Sequence, residues 1–273
     1  MWTRHPWLVW CVLWGMVAGC AAQVPYVGQG PYPQLERGRP NIVVDTAGNI
    51  LALPFKLLFL DWRFANHAVS SRTEEALVRY VNDHPELQHV HIRLNQYAPQ
   101  KDFKRLLANR QVAWPYRATF GVLGLLVETI IPGRLFAGLL TSDLYDPWTD
   151  TVHIYSDRVA IGLHELGHAD DFIQQPYKGT YGLARMIPVV TLHQEWRATD
   201  EAIGYLIEIG DRRNEMRAYR VLYPALGSYV GGYLLPLGGI PGILVGHVAG
   251  AAKVSERTRF YREFDARTSV PNP

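Results

Sequence analysis

Asp150-Thr151-Val152-His153-Ile154-Tyr155-Ser156-Asp157-Arg158-Val159-Ala160-Ile161-Gly162-Leu163-His164-Glu165-Leu166-Gly167-His168 is the stretch on which the fold turns. Residues 150 to 156 alternate and are rich in β-formers, which predicts a strand. Val159 to Leu163 is apolar and unbroken, so the segment carrying His164 and His168 predicts a buried helix. On that helix the two histidines lie one turn apart and point the same way, while Glu165 is displaced around the axis. The order is strand, short turn, helix.

Two imidazoles stacked on one helix face can take two corners of a tetrahedral zinc site. Glu165 is then placed to reach a metal-bound water rather than the metal. This is the H-E-x-x-H arrangement of a zinc metallopeptidase. A catalytic site needs a third protein ligand and leaves the fourth position to water. The metzincin extension fails, because its third histidine would fall at Gln174 and Asp171 stands in its glycine position. A second helix is predicted over 189–209, with an apolar stripe through Leu192, Ala202, Ile203 and Leu206. Glu195 lies on that stripe, and a buried acidic residue needs a compensating partner, of which a metal is one. Glu201 falls with Arg197 and Glu208 on a more polar face and is expected to be a solvated charge. Asp200, between Trp196 and Ile203, is expected to orient a ligand histidine from behind.

His164-Glu165-x-x-His168 followed by Glu195-Trp-Arg-Ala-Thr-Asp-Glu-Ala202 resembles the gluzincins, the thermolysin-like and prenyl-protease-like zinc peptidases. The resemblance covers about residues 150 to 210. It implies His164, His168 and Glu195 as ligands of one zinc ion and Glu165 as general base. One position departs from the pattern: the acidic residue usual four places after the ligand glutamate is Thr199 here, with Asp200 one place later. Zinc held in this way brings the pKa of its water towards about 7, and Glu165 accepts the proton. The tetrahedral intermediate needs a further donor. Tyr177, Tyr181, His193 and Tyr205 are near enough in sequence, and the sequence does not choose between them.

The N-terminus carries a second signal. Arg4 precedes an apolar stretch from Pro6 to Met16, and Val17-Ala18-Gly19-Cys20 follows. That order describes a secretory signal. Its ending resembles a bacterial lipobox, which implies cleavage before Cys20 and lipidation of that cysteine. An uncleaved anchor is the alternative, and both leave the protein on a membrane, facing away from the cytoplasm. Alanine after the cysteine implies sorting to the periplasmic face of an outer membrane. The chain has 2 cysteines, Cys11 and Cys20, so no thiolate remains for the metal. With 27 Lys+Arg against 25 Asp+Glu there is no polyanion-binding signature, and nucleic acid is excluded as a partner.

The remaining chain is organised around these two signals. Residues 1–19 read as signal peptide, 20–40 as a tether rich in Pro and Gly, and 41–217 as the catalytic domain. Within it, Asn41 to Asp45 predicts a short strand and Leu51 to Ala65 a helix. Ser71-Arg72-Thr73-Glu74 predicts a capping box opening a helix to about Asp83. His89 to Asn95 predicts a strand with His89 and His91 solvent-facing, and Lys101 to Asn109 a short helix. Ala118 to Leu140 predicts a core helix followed by a turn. Val221 to Ala252 contains no formally charged residue, but Pro236, Gly238, Gly239 and Pro241 interrupt it. Residues 218–252 therefore predict a hydrophobic hairpin of two helices, either entering lipid or packed over the core. Gly238, Gly242, Gly246 and Gly250 form a flat stripe for close helix approach. Residues 253–273 read as a polar tail.

These readings converge on an α+β, mostly helical, zincin-like domain with a small sheet, a lipid anchor and a hydrophobic helical C-terminal part. The expected function is zinc-dependent hydrolysis of peptide bonds in envelope proteins or peptides. Two alternatives remain: a non-catalytic envelope lipoprotein with a structural or vestigial metal site, and a zinc amidase acting on cell wall. Expected partners are a protein or peptide substrate and the membrane, reached through Cys20 and through residues 221–252.

Overall fold

Apolar residues alternate with polar ones in His91–Leu94 (β3) and Thr151–Ile154 (β5), and these strands form the buried centre of a five-stranded sheet. The structure, a computed structural model, describes residues 23–25, 32–96, 98–131, 143–234 and 238–268. Cys20 and the signal segment lie outside the described residues, as does the end of the apolar stretch after Ile131. The sheet order is β1 (Gln23–Pro25), β2 (Leu35–Gly38), β3, β5, β4 (Leu144–Asp146). β2, β3 and β5 run parallel, and the two edge strands are antiparallel to their neighbours. Helices account for most of the rest, so the chain is α+β with a small sheet.

Three local readings are corrected. Residues 41–45 are not a strand but the start of helix α1 (Ile42–Leu51). The Asn41 side chain accepts from the Val44 N–H at 3.1 Å, and Asp45 accepts from the Asn41 N–H at 2.7 Å. That reciprocal cap outweighs the β-preference of Ile42, Val43 and Val44. Helix α2 (Leu53–Leu58) ends well before Ala65, where Leu60 takes a positive φ of 53°. Helix α3 (Ser71–Asp83) has Ser70, not Ser71, at its N-cap. Asp157, just after β5, accepts from the Ser70 N–H at 3.0 Å, the Ser70 hydroxyl at 2.6 Å and the Thr73 hydroxyl at 2.7 Å. Glu74 pairs with Arg37 instead of closing a box.

Helix α4 (Pro99–Ala108) follows β3, where His91 is half-buried rather than solvent-facing. A short helix, α5 (Trp114–Tyr116), then passes through a π turn into α6 (Val122–Ile130). This was expected to be a core helix, yet Leu123, Leu126, Val127 and Ile130 are exposed. Its packing is at its beginning, where Arg117 donates to the Leu106 and Val112 carbonyls and Phe120 stacks on Trp148.

Helix α7 (Val159–Ile173) is the central element, with every residue from Val159 to Ala169 buried. Glycine makes this possible at two points. A β-carbon on Gly162 would lie 2.6 Å from the Leu77 side chain, and one on Gly167 would lie 3.0 Å from the Ala198 carbonyl. Ala198 belongs to α9 (Pro188–Glu208), which follows the short α8 (Lys178–Ala184). Gly167, inside the H-E-x-x-H motif, thus lets α9 approach α7 closely enough for their side chains to meet.

The chain ends in two long antiparallel helices, α10 (Arg212–Leu234) and α11 (Gly239–Thr268). Residues 253–268 are therefore a continuation of the second arm and not a separate tail. Polar contacts join the base: Arg257 to Glu215 at 2.5 Å and Arg212 to Asp265 at 2.7 Å. Beyond Arg220 and Lys253 the contact changes to backbone against backbone. β-Carbons on Gly227, Gly231, Gly242, Gly246 or Gly250 would overlap carbonyl oxygens of the opposite arm. Gly242→Val is expected to destabilise the protein by about 2 kcal/mol, a fall in Tm of roughly 4–8 °C in thermal melts. Gly232→Ala, where a β-carbon meets open space, is the control that should not lower Tm, since alanine favours the helix. No helix among the described residues is long and apolar enough to cross a membrane.

Candidate metal centre

The facing of α7 and α9 brings His164, His168 and Glu195 together. Their ligand atoms lie within 4.8 Å of one another, and all three residues are buried. His164 Nε2 is 3.1 Å from Glu195 Oε2, and His168 Nε2 is 3.4 Å from Glu195 Oε1. Both imidazoles thus present the same nitrogen to one carboxylate. His164 Nδ1 lies 3.3 Å from the Thr199 hydroxyl, one turn after Glu195. With Nδ1–H donating to Thr199, the Nε2 lone pair is free for a cation.

Glu165 points elsewhere, as its place on the helix requires. Its Oε2 accepts the backbone N–H of Tyr145 at 2.9 Å, from the edge strand β4. Arg185, in the turn between α8 and α9, closes the arrangement: it lies 3.8 Å from Glu195 Oε1 and donates to the Tyr145 carbonyl at 3.5 Å. Asp143, whose carboxylate accepts from the Tyr155 and Ser156 N–H groups, adds a third acid to the neighbourhood.

The electrostatics favour a cation. Burial, then the charges of Glu195 and Asp143, push the Glu165 carboxyl well above the usual carboxylate range. Burial opposes the charge of Glu195 too, but the two histidines beside it hold its carboxyl well below that range. Burial pushes the His168 imidazole down to about 4, so it is a neutral lone-pair donor at neutral pH. Three acids face one guanidinium, and a bound divalent ion removes the imbalance. Two imidazoles and a carboxylate are a donor set that zinc accepts.

No protein-family model, curated protein or solved structure matches this chain. The arrangement of these side chains therefore carries the argument.

Of the other residues singled out in the sequence, Asp200 is exposed and lines an apolar groove between α9 and the hairpin. Thr199 occupies the place expected for it, because the one-residue offset turns Asp200 about 100° away around α9. Glu201 is part-exposed and accepts from the Tyr80 hydroxyl at 3.1 Å. None of the four proposed donors is brought to the centre: Tyr177 and His193 are exposed, Tyr181 bonds Asp171, and Tyr205 bonds Asp83 at 2.7 Å. Arg185 is a donor beside the site by distance, and Tyr229 of α10 is near enough that burial, then the charges of Glu195 and Glu165, push its hydroxyl up. Arg185 lies in a turn and Tyr229 is distant in sequence, so helical periodicity gives no signal for either.

Thr199→Val removes the acceptor behind His164 while keeping its volume. The expected result is an affinity for zinc reduced about tenfold with the fold intact, read by competition with a chromophoric chelator.

Proposed function

We propose that this protein is a zinc-dependent peptidase of the gluzincin kind, held at the bacterial envelope membrane by lipid on Cys20. The observation that carries the reading is the convergence of His164, His168 and Glu195, with Glu165 one position along the same helix and turned aside onto Tyr145. Among the described residues three protein ligands, rather than four, come together, which leaves a position for water and substrate, as a hydrolytic centre needs and a purely structural one does not.

Zinc bound there supplies Lewis acidity, lowering the pKa of its water and polarising a carbonyl. The chain's own groups do the rest. Glu195 anchors the ligand set and fixes the two imidazoles relative to each other. Thr199 holds His164 in one tautomer. Glu165, held by the Tyr145 N–H, takes the water proton and returns it to the leaving amine. Arg185 and Tyr229 are the donors available to a developing oxyanion.

The test uses the full chain in detergent, loaded with zinc or stripped by chelator, against casein-type peptides and cell-wall fragments in parallel. Zinc-dependent peptide cleavage lost in Glu165→Gln supports the peptidase reading. Cleavage confined to cell-wall cross-links makes the protein an amidase. Zinc binding without turnover of either substrate makes it a non-catalytic lipoprotein.

A further inference from the structure

The apolar side chains that find no partner gather at one end of the molecule. α9 and α10 are joined by the short turn 209–211 and flank a common groove of about 760 Å³, so they run antiparallel. The start of α9 therefore lies at the same end as the tip of the α10–α11 hairpin. Met186 (79%), Ile187 (55%) and Val189 (76%) are exposed at the first, and Leu234 (74%), Ile240 (58%) and Leu244 (58%) at the second. Two segments far apart in sequence thus present one apolar end, which no described segment covers.

The first exposed charge met on α9 and the first charges met on α10 and α11 are cations. Moving back from the apolar end, the first exposed charged residue on α9 is Arg197, which pairs with Asp171 at 3.0 Å, and the first charged residues on α10 and α11 are Arg220 and Lys253, each about 21 Å from the hairpin tip. The stretch between Arg220 and Lys253 carries no charge at all. An apolar end whose nearest charges on α9, α10 and α11 are cations set back from it complements a phospholipid surface, with hydrocarbon below and phosphate above. Each charge-free arm, 221–234 or 239–252, is about 21 Å long at 1.5 Å per residue. That is too short to cross a hydrocarbon core of about 30 Å but ample for a dip into one leaflet.

We propose that this end, the start of α9 together with the hairpin tip, inserts about 5–10 Å into one leaflet of a phospholipid membrane. Glu195 lies seven residues into α9, about 10 Å from that end. The metal centre is then held just above the lipid surface, over bonds that emerge from the membrane. The insertion itself does not rest on the peptidase reading.

The test uses the full chain with Cys11→Ser and Cys20→Ser, so that lipidation is absent, and one new cysteine at a time. Val189→Cys, Leu234→Cys and Ile240→Cys probe the apolar end, and Lys104→Cys and Arg262→Cys are controls on exposed polar surface. Each is labelled with an environment-sensitive fluorophore and mixed with 3:1 phosphatidylcholine–phosphatidylglycerol vesicles carrying an acyl-chain nitroxide. The proposal predicts a blue shift and at least about threefold more quenching at 189, 234 and 240 than at the controls. Equal quenching at all positions overturns it, including binding to vesicles through the N-terminal segment alone. So does a blue shift at 189, 234 and 240 that precedes vesicle addition and rises with protein concentration, because the end is then an interface between copies. The readout involves neither zinc nor hydrolysis, so it fails or succeeds separately from the proposed activity.

Discussion

Glu165→Gln lowers the turnover of any cleaved substrate by about 10²–10⁴-fold, the range expected for removal of a general base. The amide keeps the shape of the side chain and, through its oxygen, the bond from the Tyr145 N–H. What it loses is the ability to take a proton. It also loses a negative charge that burial and two neighbouring acids already disfavour. The variant is therefore expected to melt no lower than the parent and to bind zinc undiminished. Loss of activity with unchanged Tm and metal content separates a chemical role from a structural one. A drop in Tm, or activity within about tenfold of the parent, would show that Glu165 is a core residue and not the base.

Glu195→Ala has a different signature. It leaves the imidazoles of His164 and His168 facing a void and strands Arg185 beside them. Bound zinc is expected to be lost, with it the stabilisation by ligand linkage. At a zinc concentration a hundredfold above Kd that is about 2.7 kcal/mol, or roughly 5–10 °C in Tm for a chain of this size. The parent should therefore lose Tm on chelation, whereas Glu195→Ala should melt at one temperature with or without zinc. Glu201→Ala is the control: that carboxylate bonds Tyr80 and stands apart from the centre, so the zinc-dependent shift should survive. If Glu201→Ala abolishes the shift and Glu195→Ala preserves it, the third ligand has been misassigned.

The motif helix, the strand before it and the helix carrying Glu195 were legible because their signals are local. His164 and His168 share a face by helical geometry alone, and Glu195 stands out as an acid on an apolar stripe. The acid chosen from the stripe is the one the fold brings to the histidines. The surroundings of the centre were less legible. The Tyr145 N–H is a backbone group with no sequence signature, and Arg185 reaches the site from a turn. Asp200 was preferred over Thr199 because an acid is the usual partner of a ligand histidine. Helix phase decided otherwise. At Asn41 the side-chain cap prevailed over a run of β-branched residues, which window periodicity cannot anticipate. The hairpin interruption was readable from Pro236 to Pro241, but the glycine stripe could not say which arm it meets. The structure puts Gly227 of α10 directly opposite Gly242 of α11, and Gly231 opposite Gly238 just before α11 begins.

The central claim is that His164, His168 and Glu195 hold a metal ion. Its most direct test is the metal content per chain of the purified full-length protein after zinc incubation and gel filtration. One zinc per chain, retained through filtration and removed by a chelator, is the predicted result. A well-folded chain that emerges with no bound metal would contradict it, and the peptidase reading would fall with it.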